Sequence, residues 1–98
     1  MTGQAWFIVG GAGFIGSHFT DALLADPQTR AVTLYDNFSS GREWHYKHHN
    51  HDRRLQIVRG EVADSRNLQA AMDGHDAVIH LAQPVEVRVV AVHGFMRR

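Results

Sequence analysis

The chain has 98 residues, of which 44% are hydrophobic and 20% are charged, a composition typical of one soluble globular domain. Ten basic residues balance ten acidic ones, so there is no net positive field to attract nucleic acid or an anionic membrane. The absence of cysteine excludes disulfides and thiol chemistry. No apolar stretch is long enough for a membrane span, and the first residues do not form a signal peptide. We therefore expect a cytoplasmic protein with no nucleic-acid or membrane partner.

A glycine-rich turn follows the first apolar stretch. Residues 6–9 predict a short buried strand, and residues 10–16 have the sequence GGAGFIG. Helical periodicity then continues to about residue 25, and an acidic residue, Asp36, follows Gly16 by twenty positions. A strand, a glycine turn, a helix and a later carboxylate are typical of a dinucleotide site, in which the helix N-terminus binds the pyrophosphate.

Strands alternate with helices or long connections along the rest of the chain. Further strands are expected at 31–35, 55–59 and 77–81, and a second helix, capped by Asp64 or Ser65, should end at Gly74. Residues 37–41 form a loop, and residues 42–54 an irregular connection with room for one helical turn. The expected inner faces of the helices are Ile15, Phe19, Ala22 and Leu23 in the first and Leu68, Ala71 and Met72 in the second. This order predicts an α/β fold, a partial Rossmann domain with a doubly wound parallel sheet of four to five strands.

Four stretches in order are similar to the conserved blocks of one family: VGGAGFIGSH (9–18), YDNFSSG (35–41), VRGEVAD (58–64) and VIHLA (78–82). They resemble those of the extended short-chain dehydrogenase/reductases, the NAD-dependent epimerases and dehydratases of nucleotide sugars. The resemblance covers about residues 6–82. It implies that residues 1–82 are the N-terminal half of an NAD(P)-binding Rossmann domain and that residues 83–98 are a divergent tail.

The resemblance also implies the cofactor-binding residues. The glycine spacing falls on Gly10, Gly13 and Gly16, with backbone from Phe14 and Ile15 at the pyrophosphate. Asp36 would hold the adenosine ribose hydroxyls. The remaining positions would line the adenosine (Asn37, Phe38, Ser39, Ser40, Gly41), meet the adenine (Glu61, Val62) and pass beside the nicotinamide ribose (Leu81, Ala82).

The carboxylate of Asp36 favours NAD over NADP. It can accept the ribose 2′-OH and repels a 2′-phosphate. Arg42 is the opposing feature, since a guanidinium at that position could bind the phosphate. We expect the cofactor to be NAD.

The catalytic motif of the family is missing from these residues. The family uses a tyrosine followed four positions later by a lysine, whereas Tyr35 and Tyr46 are followed at that spacing by Ser39 and Asn50, and the one lysine is Lys47. We therefore expect no catalytic residue here. One hypothesis is a truncated cofactor half of an epimerase or dehydratase, inactive alone, whose nucleotide sugar binds only a full-length form. The alternative is a non-catalytic NAD-binding module that acts through a partner, and a third hypothesis is that no biochemical function survives.

A cluster of histidines lies in the 42–54 connection. His45, His48, His49 and His51, with Asp52, could ligate zinc or nickel. Such clusters are usually solvated side chains, and the family chemistry needs no metal, so we expect no metal site. Trp44 and Tyr46 are expected to pack the connection.

The tail has a different pattern. Apolar and polar residues alternate from Val85 and predict one more strand. The family usually continues here with a loop and a long helix. Either a shortened loop precedes an altered strand, or the native sequence ends near Gln83.

Overall fold

The computed structural model describes residues 3–38, 42–82 and 86–91. Its strands are β1 (Ala5–Val9), β2 (Ala31–Asp36), β3 (Leu55–Arg59), β4 (Ala77–Ala82) and β5 (Glu86–Ala91), and its helices are α1 (Phe14–Ala25) and α2 (Ser65–Met72). Two 3₁₀ turns, Glu43–His45 and Lys47–His49, lie between β2 and β3. Within these residues, neither helix is long and apolar enough to cross a membrane.

The strands form one sheet in the order β3-β2-β1-β4-β5. The first four strands are parallel, which confirms the predicted α/β fold with a parallel sheet. The chain steps outward from β1 through β2 to β3, then crosses back to place β4 on the other side of β1. The carboxyl ends of β1 and β4 thus meet where the winding reverses, which is where open α/β sheets bind ligands.

The fifth strand is confirmed, but it runs antiparallel to β4, with Ala82 opposite Glu86 and Ala77 opposite Ala91. The difference from a fully parallel sheet has a simple cause. Only three residues separate β4 from β5, and a parallel crossover needs about a dozen or more. The two strands can therefore pair only as a hairpin.

The helices cover opposite faces of the sheet. Alternate residues of β1 point to opposite sides, with Ile8 facing α1 and Phe7 and Val9 facing α2. On the α1 side the buried core contains Ile8, Leu24, Val32, Leu34 and Ile79. On the other side Leu68, Ala71 and Met72 of α2 pack on Phe7, Val9, Tyr35 and Val78, which confirms the predicted inner face of that helix.

The predicted inner face of α1 is partly wrong. Phe19 and Leu23 pack against the core, but Ile15 and Ala22 are exposed. The most buried positions are Gly16, Thr20 and Leu24. Gly16 lies so close to the turn that a Cβ there would be 2.4 Å from the Gly11 carbonyl oxygen. Gly16, Thr20 and Leu24 recur every four residues, so this close approach agrees with that side of the helix facing the sheet.

The C-terminal end of α1 is capped by Arg54. Its guanidinium donates hydrogen bonds to the carbonyl oxygens of Leu24 (2.6 Å), Asp26 (3.0 Å) and Thr29 (3.2 Å). The same guanidinium forms an ion pair with Asp52 at 2.9 Å. Hydrogen bonds from Arg54 lower the pKa of Asp52 to about 2. A cation on the terminal carbonyls satisfies acceptors that a helix leaves unpaired.

Candidate functional site

The glycine turn lies between the carboxyl ends of β2 and β4. Gly10 has a φ of +82°, a left-handed conformation that favours glycine. Its N–H donates a hydrogen bond of 2.7 Å to the carbonyl oxygen of Tyr35. A Cβ at this position would lie 3.1 Å from the carbonyl oxygen of Leu81. The structure therefore brings Gly10 and Leu81 together, as the prediction of a shared site requires.

The glycines of the turn are required for different structural reasons, and one of them is not required by the fold. A Cβ at Gly16 would collide with Gly11, and one at Gly11 would lie 2.7 Å from Leu34 Cδ2. Gly13 differs, since its φ of −82° suits any residue and the nearest atom to an added Cβ is the Gly10 carbonyl oxygen at 3.7 Å. Within the described residues, the fold thus does not require glycine at position 13, and the space beside it is open.

Helix α1 begins directly after Gly13 without a capping side chain or an acidic residue in its first turn. Among residues 3–38, 42–82 and 86–91, none accepts a hydrogen bond from the N–H of Phe14 or Ile15. Both side chains are exposed, by 66% and 41%. Unpaired N–H groups at the positive end of a helix dipole can bind an anion such as a pyrophosphate.

Asp36 lies at the carboxyl end of β2, half-buried beside the turn. One carboxylate oxygen accepts the N–H of Ala12 at 3.0 Å, and the other accepts the N–H of Phe38 at 2.7 Å. A carboxylate has about four lone-pair sites, so each oxygen retains one for a ribose hydroxyl. Asp36 is therefore fixed in position by backbone before any ligand binds.

The predicted adenosine side is formed by the ends of β2 and β3. Asn37 donates a side-chain hydrogen bond of 3.0 Å to the carboxylate of Glu61. The Arg59 guanidinium lies 4.2 Å from the centre of the Phe38 ring, and the neighbouring Val62 is 51% exposed. The structure thus brings these predicted residues together at one edge of the sheet. Ser39, Ser40 and Gly41 lie outside the described residues.

The hydroxyl of the buried Tyr35 forms hydrogen bonds beneath this adenosine side. The Tyr35 hydroxyl donates to the carbonyl oxygen of Glu61 at 2.8 Å and accepts from the Asn67 amide at 3.1 Å. A Cβ at Gly60 would lie 2.4 Å from that hydroxyl oxygen, so glycine is needed for the approach. The sequence prediction missed this network, although Gly60 within the block 58–64 was a signal for it.

A second support, also missed, comes from the histidine-rich connection. His45 is buried, and its Nδ1 lies 2.6 Å from the carbonyl oxygen of Ala12. Because a carbonyl can only accept, the ring nitrogen must donate. The N–H of Arg42 donates to the same oxygen at 3.2 Å. Both backbone polar groups of Ala12 are thus bonded, since Asp36 accepts from its N–H and the connection donates to its carbonyl oxygen.

The two aromatic residues of the connection differ in burial. Tyr46 is buried in the core as expected, and burial is the main cause of its raised pKa. Trp44 is 67% exposed, but the centre of its ring lies 4.1 Å from the centre of the His45 ring, so it packs within the connection as expected. The short 3₁₀ turn directs these two neighbours of His45 to different sides.

Comparison with known proteins agrees with this geometry. The model of the NAD dependent epimerase/dehydratase family matches residues 6–92. UDP-glucuronic acid decarboxylase 2 of Arabidopsis thaliana is 36% identical over 77 residues, which are 79% of this chain and 16% of that protein. The chain therefore spans about a sixth of the length of this curated relative.

Solved structures show the same fold. DesIV, the dTDP-glucose 4,6-dehydratase of Streptomyces venezuelae, was solved with NAD bound and is 33% identical, with a TM-score of 0.76 over 85% of this chain and 27% of that one. UDP-glucose 4-epimerase of Brucella ovis, in complex with NAD, is 34% identical, with a TM-score of 0.65 over 81% and 22%. The resemblance found in the sequence is confirmed: the chain belongs to the NAD-dependent epimerase/dehydratase family.

Proposed function

We propose that this chain binds NAD at the carboxyl ends of β1, β2 and β4. The observation that carries the proposal is the space beside Gly13, next to the N–H groups of Phe14 and Ile15, to which no residue in the described part of the chain offers an acceptor. A pyrophosphate fits these donors, and it leaves the adenosine ribose on the Asp36 side. The residues present thus suit the cofactor that the solved relatives contain.

Asp36 supports NAD rather than NADP. Its two oxygens are fixed by the N–H groups of Ala12 and Phe38, so the carboxylate cannot turn away from a ligand without losing both bonds. A 2′-phosphate would meet this negative charge at close range, whereas a 2′-OH would donate to it. Arg42 is exposed and is the residue that would favour NADP.

We further propose that residues 1–82 are the cofactor-binding portion of a nucleotide-sugar epimerase or dehydratase. Bound NAD supplies hydride transfer in such enzymes. The residues of this site would hold the pyrophosphate, ribose and adenine. None of the 98 residues supplies a tyrosine with a lysine four positions on, so a proton donor for the sugar is not among them. We expect no turnover by this chain alone.

The missing motif also favours a second candidate, a non-catalytic NAD-binding module that acts through a partner. Two measurements separate the candidates. Calorimetric titration with NAD tests binding, and an assay for NADH formation and sugar conversion tests catalysis. Binding without turnover is the expected result. Turnover in a preparation free of full-length homologues would contradict the predicted inactivity, and absence of binding by the folded chain would contradict both candidates.

A further inference from the structure

Three side chains with metal-binding atoms converge away from the nucleotide site. Asp21 lies on α1, and His48 and His49 lie on the second 3₁₀ turn. The Asp21 Oδ1 atom is 3.0 Å from His48 Nε2 and 2.7 Å from His49 Nε2. All three atoms lie within 4.8 Å of one another. The Nε2 atoms of two consecutive histidines thus both point to one carboxylate oxygen of Asp21.

This convergence could not be read from the spacing of the histidines. The sequence analysis grouped four histidines of the connection with Asp52, but one of them, His45, is buried against Ala12. The carboxylate instead comes from Asp21, which is 27 and 28 residues away in the chain. The expectation of no metal site was based on the histidines and Asp52, and it did not consider Asp21 as a ligand.

We propose that Asp21, His48 and His49 bind a divalent transition-metal ion of borderline softness, such as Zn²⁺ or Co²⁺. Two imidazole nitrogens and one carboxylate oxygen suit such ions better than Mg²⁺ or Ca²⁺, which prefer oxygen ligands. Three protein ligands leave a further position for water.

The present spacing is close to that of a bound site. Ligands about 2.0–2.1 Å from a tetrahedral ion lie about 3.4 Å apart, which is about 0.4 Å and 0.7 Å more than the two distances of 3.0 Å and 2.7 Å from Asp21 to the histidines. The side chains of Asp21 and His48 are about half exposed, at 51% and 55%, and His49 at 20%. They can separate by this amount without disturbing the core. Each imidazole then carries its proton on Nδ1 and binds the ion through Nε2.

The bound ion connects two parts of the chain. It joins the 42–54 connection to α1 about one helical turn before the Arg54 cap, because Asp21 precedes Ala25, the last residue of α1, by four positions. A ligand that binds the folded state more tightly than the unfolded state raises thermal stability. We therefore expect the ion to raise the melting temperature of the chain.

The test is a titration of the tag-free 98-residue chain with Zn²⁺ by calorimetry, with Co²⁺ absorption as a second probe. We expect one ion per chain and a rise in melting temperature. Asp21→Asn, His48→Ala and His49→Ala should each weaken binding by at least about tenfold. His51→Ala is the matched control, because His51 is exposed in the same connection, and should bind as the unmodified chain does.

Nitrogen NMR on the unmodified chain keeps the test independent of any variant that fails to fold. Zn²⁺ should shift Nε2 of His48 and His49 and leave His51 unchanged. No binding, equal binding by Asp21→Asn and the unmodified chain, or shifts spread over all histidines would each overturn the proposal. None of these measurements depends on NAD.

Discussion

The backbone N–H of Ala12 donates a hydrogen bond of 3.0 Å to the carboxylate of Asp36, across 24 residues of sequence. This bond joins the glycine turn to the end of β2. It gives Asp36 a structural role in addition to the ribose-binding role implied by the family resemblance. Any substitution of Asp36 therefore has to be judged on both folding and binding.

Replacing Asp36 should reduce the preference for NAD. Asp36→Asn keeps the shape and one acceptor oxygen but removes the charge that repels a 2′-phosphate. We expect NAD to bind at least about tenfold more weakly, a loss of about 1.4 kcal/mol, and the NAD to NADP affinity ratio to fall. Calorimetric titration with both nucleotides measures this. Asp73→Asn, an exposed change of the same charge, is the control, and an unchanged ratio in Asp36→Asn would contradict the assignment.

The glycines at positions 13 and 16 should separate binding from folding. Gly13→Ala meets no close atom, so its free energy of unfolding should stay within about 0.5 kcal/mol of the unmodified chain, while NAD affinity falls by at least about tenfold. Gly16→Ala places a Cβ 2.4 Å from the Gly11 carbonyl oxygen and should lose about 1–3 kcal/mol.

Urea unfolding and NAD titration of both variants are the required measurements. A Gly13→Ala chain that binds NAD as tightly as the unmodified one would show that the open space is not the pyrophosphate site. Equal stability of Gly16→Ala would show that the helix does not approach the turn as described.

Removing the imidazole of His45 should loosen the turn. His45→Ala deletes the donor to the Ala12 carbonyl oxygen and should lower the free energy of unfolding by about 1–2 kcal/mol. His45→Asn restores a donor near the position of Nδ1 and should recover part of that loss. The check is urea unfolding of the two variants. Equal losses in both would mean that packing of the ring, and not its hydrogen bond, stabilises the turn.

The cap formed by Arg54 should matter for stability although it lies far from the cofactor residues. Arg54→Ala removes donors to the carbonyl oxygens of Leu24 and Asp26 and leaves Asp52 without its ion pair. We expect a loss of about 2–3 kcal/mol, with Arg54→Lys intermediate because an ammonium lacks the planar fork. Thermal unfolding checks this, and Arg53→Ala, an exposed neighbour, is the control. Equal effects at positions 53 and 54 would contradict the cap.

The sequence predicted β1 to β4 within one residue at each end, because strands buried on both faces are short apolar runs between polar segments. It also placed Asp36 at the carboxyl end of β2, since the first charged residue marks the end of such a strand. The contacts of His45 and Asp21 were not predictable in this way. Each contact joins segments that are far apart in sequence. The directions of the histidine side chains depend on two 3₁₀ turns, and residues 42–54 show no periodicity that predicts these turns.

Titration of the folded chain with NAD and, separately, NADP tests the central claim most directly. Circular dichroism first establishes that the chain is folded. The account predicts one NAD per chain, bound more tightly than NADP, with the affinity lost in Gly13→Ala but not in Asp73→Asn. Tighter binding of NADP, or a folded chain that binds neither nucleotide, would contradict it.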